Sequence, residues 1–391
     1  MNDKDCLSLS DIIMPNVYIR SILIYDYKID DFENLLNEYL NLYCPQAFQC
    51  IDLINQRIIR CEKRNVYSCE SRINETILKY IDNDSIEELF PYGLYPNESS
   101  PLLFIHKIDL KDGCILSFGC HHYFSDGHGF SQLGKCFSMW LKGEKIPLFD
   151  HDRSKLRKIG ESSSIKYNHI EMNIEQPIYP SFNLISCKTI KKCFTKSYLF
   201  EKLEIANKTT SLNDVIVGWL TKLISQIRQL SSETIVKVGM ALNGRKYLSN
   251  IDETYFGNCS FYICFSFLMS DLNILTVDQL SEQINNEKQK FLCKEYIESS
   301  LSFINQHYRT STINLGWNPY NGINLAFTNW SKFPIYKCDF GHGQPKSFGI
   351  SSIETDGIIF ILPTSNPDEI QLNITLKDIH ADSILNQIFF Q

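Results

Sequence analysis

Cys120-His121-His122-Tyr123-Phe124-Ser125-Asp126-Gly127 is the stretch on which the reading of this chain turns. Two apolar runs precede it, Leu102–Lys107 and Cys114–Cys120, separated by the turn Lys111-Asp112-Gly113. That is the pattern of a buried hairpin. A helical spacing of apolar residues takes over from Phe130 to Leu141. The histidines therefore stand where a strand stops and a helix begins, at an edge that presents side chains. Imidazole titrates near neutral pH and suits general-base chemistry, and an acidic residue four positions past His122 is placed to hold it. Gly127 and Gly129 are expected to let the backbone turn sharply. Two other readings use the same letters. His121, His122, Asp126 and His128 are metal-ligand types, but adjacent strand residues point to opposite faces, so no metal is expected. Cys120 and Cys259 are candidate nucleophiles, yet no neighbour marks either thiol as activated.

Working outward, strands and helices alternate. Val17–Tyr25 is β-rich, and Asp31–Leu42 has amphipathic helical spacing. From Asp150 to Lys166 the chain turns polar, with Gly160 and a Ser162-Ser163-Ser164 run, and reads as a linker. Beyond it, Thr210 to Asp214 supply cap residues for a helix over Val215–Leu230. Strands are expected at Ile235–Ala241 and Phe261–Phe267, and a long helical region from Val277 to about His307. The last third alternates strands and turns: Ile323–Thr328, Gly349–Ile353, Gly357–Leu362 and Ile370–Thr375. The class is mixed α/β. The organisation expected is an N-terminal domain over 1–150, a linker or crossover over 151–170, and a C-terminal domain over 171–391, with a cleft between the domains.

A chain of 391 residues exceeds what one core usually serves, which supports two domains. Apolar residues at 43% and charged residues at 21% are a globular balance. The net charge of -7 argues against a nucleic-acid or anionic-membrane binder. The opening MNDKDCLSLSD lacks the basic and apolar regions of a signal peptide, and the most apolar runs, such as Tyr18–Ile24, are too short to span a bilayer. Fourteen cysteines without a CxxC pair read as reduced, mostly buried thiols. A cytoplasmic protein is expected.

His122 to Gly127 resembles the His-x-x-x-Asp-Gly signature of the BAHD acyltransferases, relatives of chloramphenicol acetyltransferase and of peptide-synthetase condensation domains. Trp330 to Pro345, reading WSKFPIYKCDFGHGQP, is similar to the family's tryptophan, spacer and Asp-Phe-Gly-Trp-Gly loop. Asn243-Gly244-Arg245 and Tyr255-Phe256-Gly257-Asn258 resemble its central motifs, Leu7 to Asp11 its opening and Ile370–Leu376 its closing strand. The matches run in order over essentially the whole chain. The resemblance implies two chloramphenicol-acetyltransferase-like domains, each a mixed sheet flanked by helices, with the active site at their interface.

It also implies roles. His122 is the base, and Trp330 is an indole donor to the developing oxyanion. Asp126 turns away from substrate and pairs with Arg245. Asp126, Gly127, Arg245, Asp339 and Gly341 support the site, and Tyr123 and Thr328 are candidate lining of a substrate pocket. His342 stands where the family has tryptophan, in a loop that looks structural, and Asn243 stands where it has aspartate. The implied reaction is acyl transfer from acyl-CoA to a small-molecule alcohol or amine in a ternary complex. No bound cofactor, metal or covalent enzyme intermediate is needed, and a monomer is implied. Two alternatives stay open: a condensation-like enzyme drawing on a carrier-protein thioester, and a non-catalytic binding relative.

Overall fold

The computed structural model describes residues 6–52, 54–59, 65–81, 86–97, 100–174, 186–207, 209–318, 322–351 and 353–390, the side chains of 388–390 excepted. The chain divides into two compact units, and neither is one continuous segment. The first comprises Met1–Ser162, Leu248–Ser260 and Phe333–Ser351; the second comprises Ser163–Tyr247, Phe261–Lys332 and Ser352–Gln391. This differs from the single cut expected near residue 150. The reason lies in strand pairing: Ser347–Ile350 adds to the edge of the first sheet by pairing antiparallel with Tyr18–Tyr25. The Asp339–Gly343 loop is thereby carried into the first unit.

The first unit is built on a mixed sheet ordered Ser347–Ile350, Tyr18–Tyr25, Cys114–His121, Leu103–Leu110, Tyr67–Arg72. All pairs are antiparallel except the last, which is parallel. Tyr18–Tyr25 and Cys114–His121 are buried at every position, which is why both read as largely apolar runs without strict alternation, Arg20, Ser21 and Ser117 being buried with the rest. The helix Phe32–Tyr43 buries Phe32, Leu36, Tyr39 and Leu40, one stripe at helical spacing. Its Tyr39 ring packs 5.0 Å from Phe137 of the helix Gly127–Leu141.

The second unit carries a mixed sheet ordered Ser260–Leu268, Ile235–Asn243, Leu325–Asn329, Ile358–Pro363, Glu369–Lys377, Cys187–Thr195. Its long helix Leu212–Ile227 opens on a capping box in which Ser211 and Asp214 satisfy each other's backbone N–H groups. The helical region expected over Val277 to His307 is two helices, Val277–Gln289 and Lys294–His307, broken where Cys293 takes an extended conformation. Each then turns its own apolar stripe inward.

The expected linker is corrected in its first half. Ser154–Ser162 is a helix of the first unit that buries Ser154, Leu156 and Gly160. Its polar letters are its outer face, and so short a buried stripe does not stand out in sequence. The expectation of reduced thiols holds for twelve free cysteines among the described residues, but Cys50 is disulfide-bonded. Among the described residues no helix is long and apolar enough to cross a membrane.

Candidate active site

The strand Cys114–His121 ends one residue before His122, and the helix Gly127–Leu141 begins one residue after Asp126. Asp126 is the helix N-cap: its Oδ1 accepts from Gly129 N at 2.9 Å. Its Oδ2 accepts from Cys259 N at 2.9 Å and from Ser260 Oγ at 3.3 Å. The carboxylate is 1% exposed and ties the loop to Cys259 and Ser260, more than 130 positions on. Gly127 and Gly129 do not take a left-handed conformation, so the sharp-turn reading is corrected. Gly129 is favoured by space instead, because a Cβ there would lie 2.3 Å from Ser125 Oγ and that hydroxyl would have to shift.

The two adjacent histidines sit in opposite environments. His121 is buried, 5.9 Å from the Tyr18 ring and 5.2 Å from the Tyr123 ring, and its Nδ1 accepts from Tyr123 N at 3.1 Å. Burial, reinforced by His122, pushes its pKa down to about 3, so it stays neutral. His122 is half-buried, with Nδ1 3.1 Å from Asn258 Oδ1. Burial lowers its pKa below the ordinary value, and its own backbone carbonyl, Asp126, Asn258 and Asp11 offset part of that. Among the described residues its Nε2 has no protein hydrogen-bond partner. Tyr123 is half-buried beside it in sequence. Cys120 and Cys259 are both buried, and burial raises the Cys120 thiol well above its usual pKa, the opposite of an activated nucleophile. Among the described residues no group of three or more histidine, cysteine or acidic side chains is arranged to hold a metal ion.

Behind His122 lies a network in which the sequence reading named no roles. Asn258 Nδ2 donates to Asp11 Oδ1 at 2.8 Å and to the His122 carbonyl at 2.6 Å. Asp11 Oδ2 receives Arg153 Nη1 at 2.7 Å, with both side chains fully buried. Arg153 Nη2 donates to the Phe124 carbonyl at 2.5 Å. Residues 11, 122, 153 and 258 thus meet in the first unit. The Leu7 to Asp11 and Tyr255 to Asn258 motifs were visible as resemblances; Arg153 gave no signal, being an arginine in a polar stretch.

The remaining candidates divide between the two units. Arg245 belongs to the second unit and is buried, its N and Nη1 donating to Asn243 Oδ1 at 3.1 and 3.3 Å. Asn243 therefore serves as an uncharged acceptor for its neighbour. Trp330, also in the second unit, is 9% exposed; its Nε1–H donates to half-buried Thr328 Oγ1 at 3.2 Å and its ring meets Phe360 edge-on. Asp339 closes its own loop: Oδ1 accepts from Gly341 N at 3.0 Å and Gly343 N at 2.8 Å, and Oδ2 pairs with Lys142 at 2.8 Å. Gly341 and Gly343 sit at φ 137° and 120°, where side chains are strained. The His342 ring lies 5.3 Å from Tyr27, edge to face, and the Tyr27 hydroxyl donates to the Gly343 carbonyl.

A profile of the Transferase family matches residues 3–388. The chain belongs to that family, the BAHD-type acyltransferases. Among its BAHD relatives, anthranilate N-benzoyltransferase protein 2 of Dianthus caryophyllus is 27% identical, the alignment covering 96% of this chain and 88% of that protein. Shikimate O-hydroxycinnamoyltransferase of Nicotiana tabacum is 21% identical over 95% of this chain and 91% of its own length. F. graminearum TRI101, solved in complex with coenzyme A and deoxynivalenol, superposes with a TM-score of 0.83 at 14% identity, covering 98% of this chain and 96% of its own. At that identity the likeness carries the fold: a mixed α/β, two-domain chloramphenicol-acetyltransferase-like architecture. This BAHD protein is an acyltransferase.

Proposed function

We propose that this protein transfers an acyl group from acyl-CoA to a hydroxyl or amine of a small-molecule acceptor, with His122 as general base. The observation that carries the reading is the state of that ring: one nitrogen is held by Asn258, and the other has no protein partner among the described residues. A base needs its lone pair available and its orientation fixed. His122 Nε2 takes the acceptor's proton as the acceptor oxygen or nitrogen bonds to the thioester carbonyl carbon. The carbonyl electrons move to oxygen, giving a tetrahedral oxyanion. Collapse breaks the carbon–sulfur bond, and the imidazolium returns the proton to the leaving thiolate, so free CoA and the ester or amide are released. The Trp330 indole N–H is proposed as a donor to the oxyanion, exchanging its bond to Thr328. Asp126, Gly127, Arg245, Asp339 and Gly341 are proposed as structural supports, and Tyr123 and Thr328 as pocket lining.

Relatives named for an aromatic amine acceptor and for a hydroxyl acceptor support both acceptor classes. Aromatic acyl-CoAs therefore belong beside acetyl-CoA in the first panel. A monomeric cytoplasmic enzyme of secondary metabolism is the setting we propose. The test follows free CoA released from that panel with a small-molecule extract as acceptor. Extract-dependent release that falls on the order of 100-fold or more in folded His122→Ala supports the base. Trp330→Phe is expected to lower kcat while leaving KM nearly unchanged. Release that survives His122→Ala would remove His122 as the base. No release from any thioester by folded wild type would move the reading to a carrier-protein donor or a non-catalytic role.

A further inference from the structure

The Asn258 amide contacts three groups whose hydrogen-bonding character is fixed. Asp11 is a carboxylate in a buried ion pair with Arg153, and it already accepts from the backbone N of Ser8 and of Asn258. It has acceptor sites alone to offer. The His122 carbonyl is likewise an acceptor. These two lie 2.8 and 2.6 Å from the same amide atom, which must therefore be the NH2 group. Turning the amide over would set its oxygen against two acceptors, each buried or partly buried, and lose two charge-assisted or strong bonds. The atom 3.1 Å from His122 Nδ1 is consequently the oxygen. An oxygen there accepts, so Nδ1 must carry the hydrogen, and the lone pair of the neutral ring is on Nε2.

We infer that the buried Arg153–Asp11–Asn258 relay fixes His122 in the Nδ1–H tautomer, making Asn258 a positioning residue for the transfer. Every link is anchored by a group that cannot reverse its role. Arg153 only donates, and it is itself held by the Phe124 carbonyl at 2.5 Å. Asp11 only accepts. Asn258 is left with one orientation, and it passes that constraint to the ring. The same amide ties down the His122 carbonyl, so it restrains both the ring and the backbone that bears it. When Nε2 takes the acceptor's proton, Nδ1–H becomes the donor of an imidazolium, and the bond to Asn258 Oδ1 strengthens in step with the reaction. This gives a function to the residues at 11 and 258, which the proposed mechanism leaves idle.

The inference rests on His122 as the base, and the experiment separates the two. Protein labelled with 15N in its histidine rings, with His122 assigned by loss of its signals in His122→Gln, reports directly which nitrogen carries the hydrogen. Wild type at pH 8 is expected to show His122 Nδ1 protonated and Nε2 bare; the reverse pattern overturns the inference even if Asn258→Ala misfolds. Asn258→Ala then tests the relay. Its kcat is expected to fall roughly 10- to 100-fold with KM within about twofold, the size typical of losing an orienting partner behind a histidine.

The acid limb of its kcat profile is expected to move down by about half a pH unit or more, because the acceptor that steadies the imidazolium is gone. The groups bearing on the ring are Asp126 and Asp11, with Asp11 neutralised by Arg153 and with His121 beside it, and the variant leaves all of them in place. An Asn258 that is merely structural would lower the melting temperature and leave the limb and the ring signals unmoved. That result overturns the inference. Turnover abolished by His122→Ala but unaffected by Asn258→Ala would sink the relay and leave the base standing.

Discussion

At the scale of single residues, His121 and His122 show how burial divides identical side chains. His121 closes a fully buried strand and is packed among aromatic rings, so its charged form is strongly disfavoured. His122, one residue on, leaves the strand and meets an amide oxygen and two carboxylates that recover part of the cost of a charge. A sign follows for the pH dependence. A base works when unprotonated, and the net shift of His122 is downward, so kcat/KM is expected to rise with pH through a limb below the ordinary imidazole value of 6.5. A rate profile from pH 4.5 to 8.5 with a rapidly reacting acceptor checks this. A limb above 6.5 would mean that burial is not the controlling influence. His122 and Asp126 were legible in the sequence because a short local motif carries them. Asn258 was legible as a motif letter without a role, since its partners lie 136 and 247 positions away.

At the scale of elements, the Asp339–Gly343 loop explains how the family's tryptophan can be histidine here. The loop is closed by Asp339 and two left-handed glycines, and by Tyr27, whose hydroxyl reaches Gly343. The side chain at 342 needs only an aromatic edge for Tyr27, which imidazole supplies. His342→Trp is therefore expected to leave kcat unchanged and to add about 0.5–1 kcal/mol through larger ring contact. A loss of kcat at unchanged stability would instead give the loop a part in the reaction. Burial pushes the Asp339 carboxyl up, but Lys142 and the Gly341 and Gly343 N–H groups outweigh it and hold the group below its usual pKa. Its stabilising contribution is therefore full near neutrality and is lost as pH falls below about 4. Asp339→Asn is expected to show a smaller drop in melting temperature between pH 6 and pH 3 than wild type, and an equal drop would refute the assignment. The structural character of this loop and the supporting part of Asp339 were read from resemblance; the bonds by which the carboxylate closes the loop could not be, because the paired N–H groups depend on φ values that letters do not state.

At the scale of the whole molecule, Arg153 joins segments that are remote in the chain: it holds Asp11, the Phe124 carbonyl and, through Asp11, Asn258. Removing one partner of a fully buried pair leaves an uncompensated charge, so Arg153→Met is expected to cost about 3–5 kcal/mol in urea unfolding. A loss under about 1 kcal/mol would show that water or another cation replaces it readily. The sequence determined the mixed α/β class, the strand–loop–helix around His122 and the family to which the chain belongs. Those follow from apolar periodicity and short motifs, which act over a few residues. Three things were decided by tertiary structure alone: the return of 248–260 and 333–351 to the first unit, the helix inside the expected linker, and the relay behind His122. The first and the last depend on strand edges finding partners, or buried polar groups finding acceptors, across more than a hundred residues, and the helix on a buried stripe too short to stand out, so no local pattern in the chain encodes these choices.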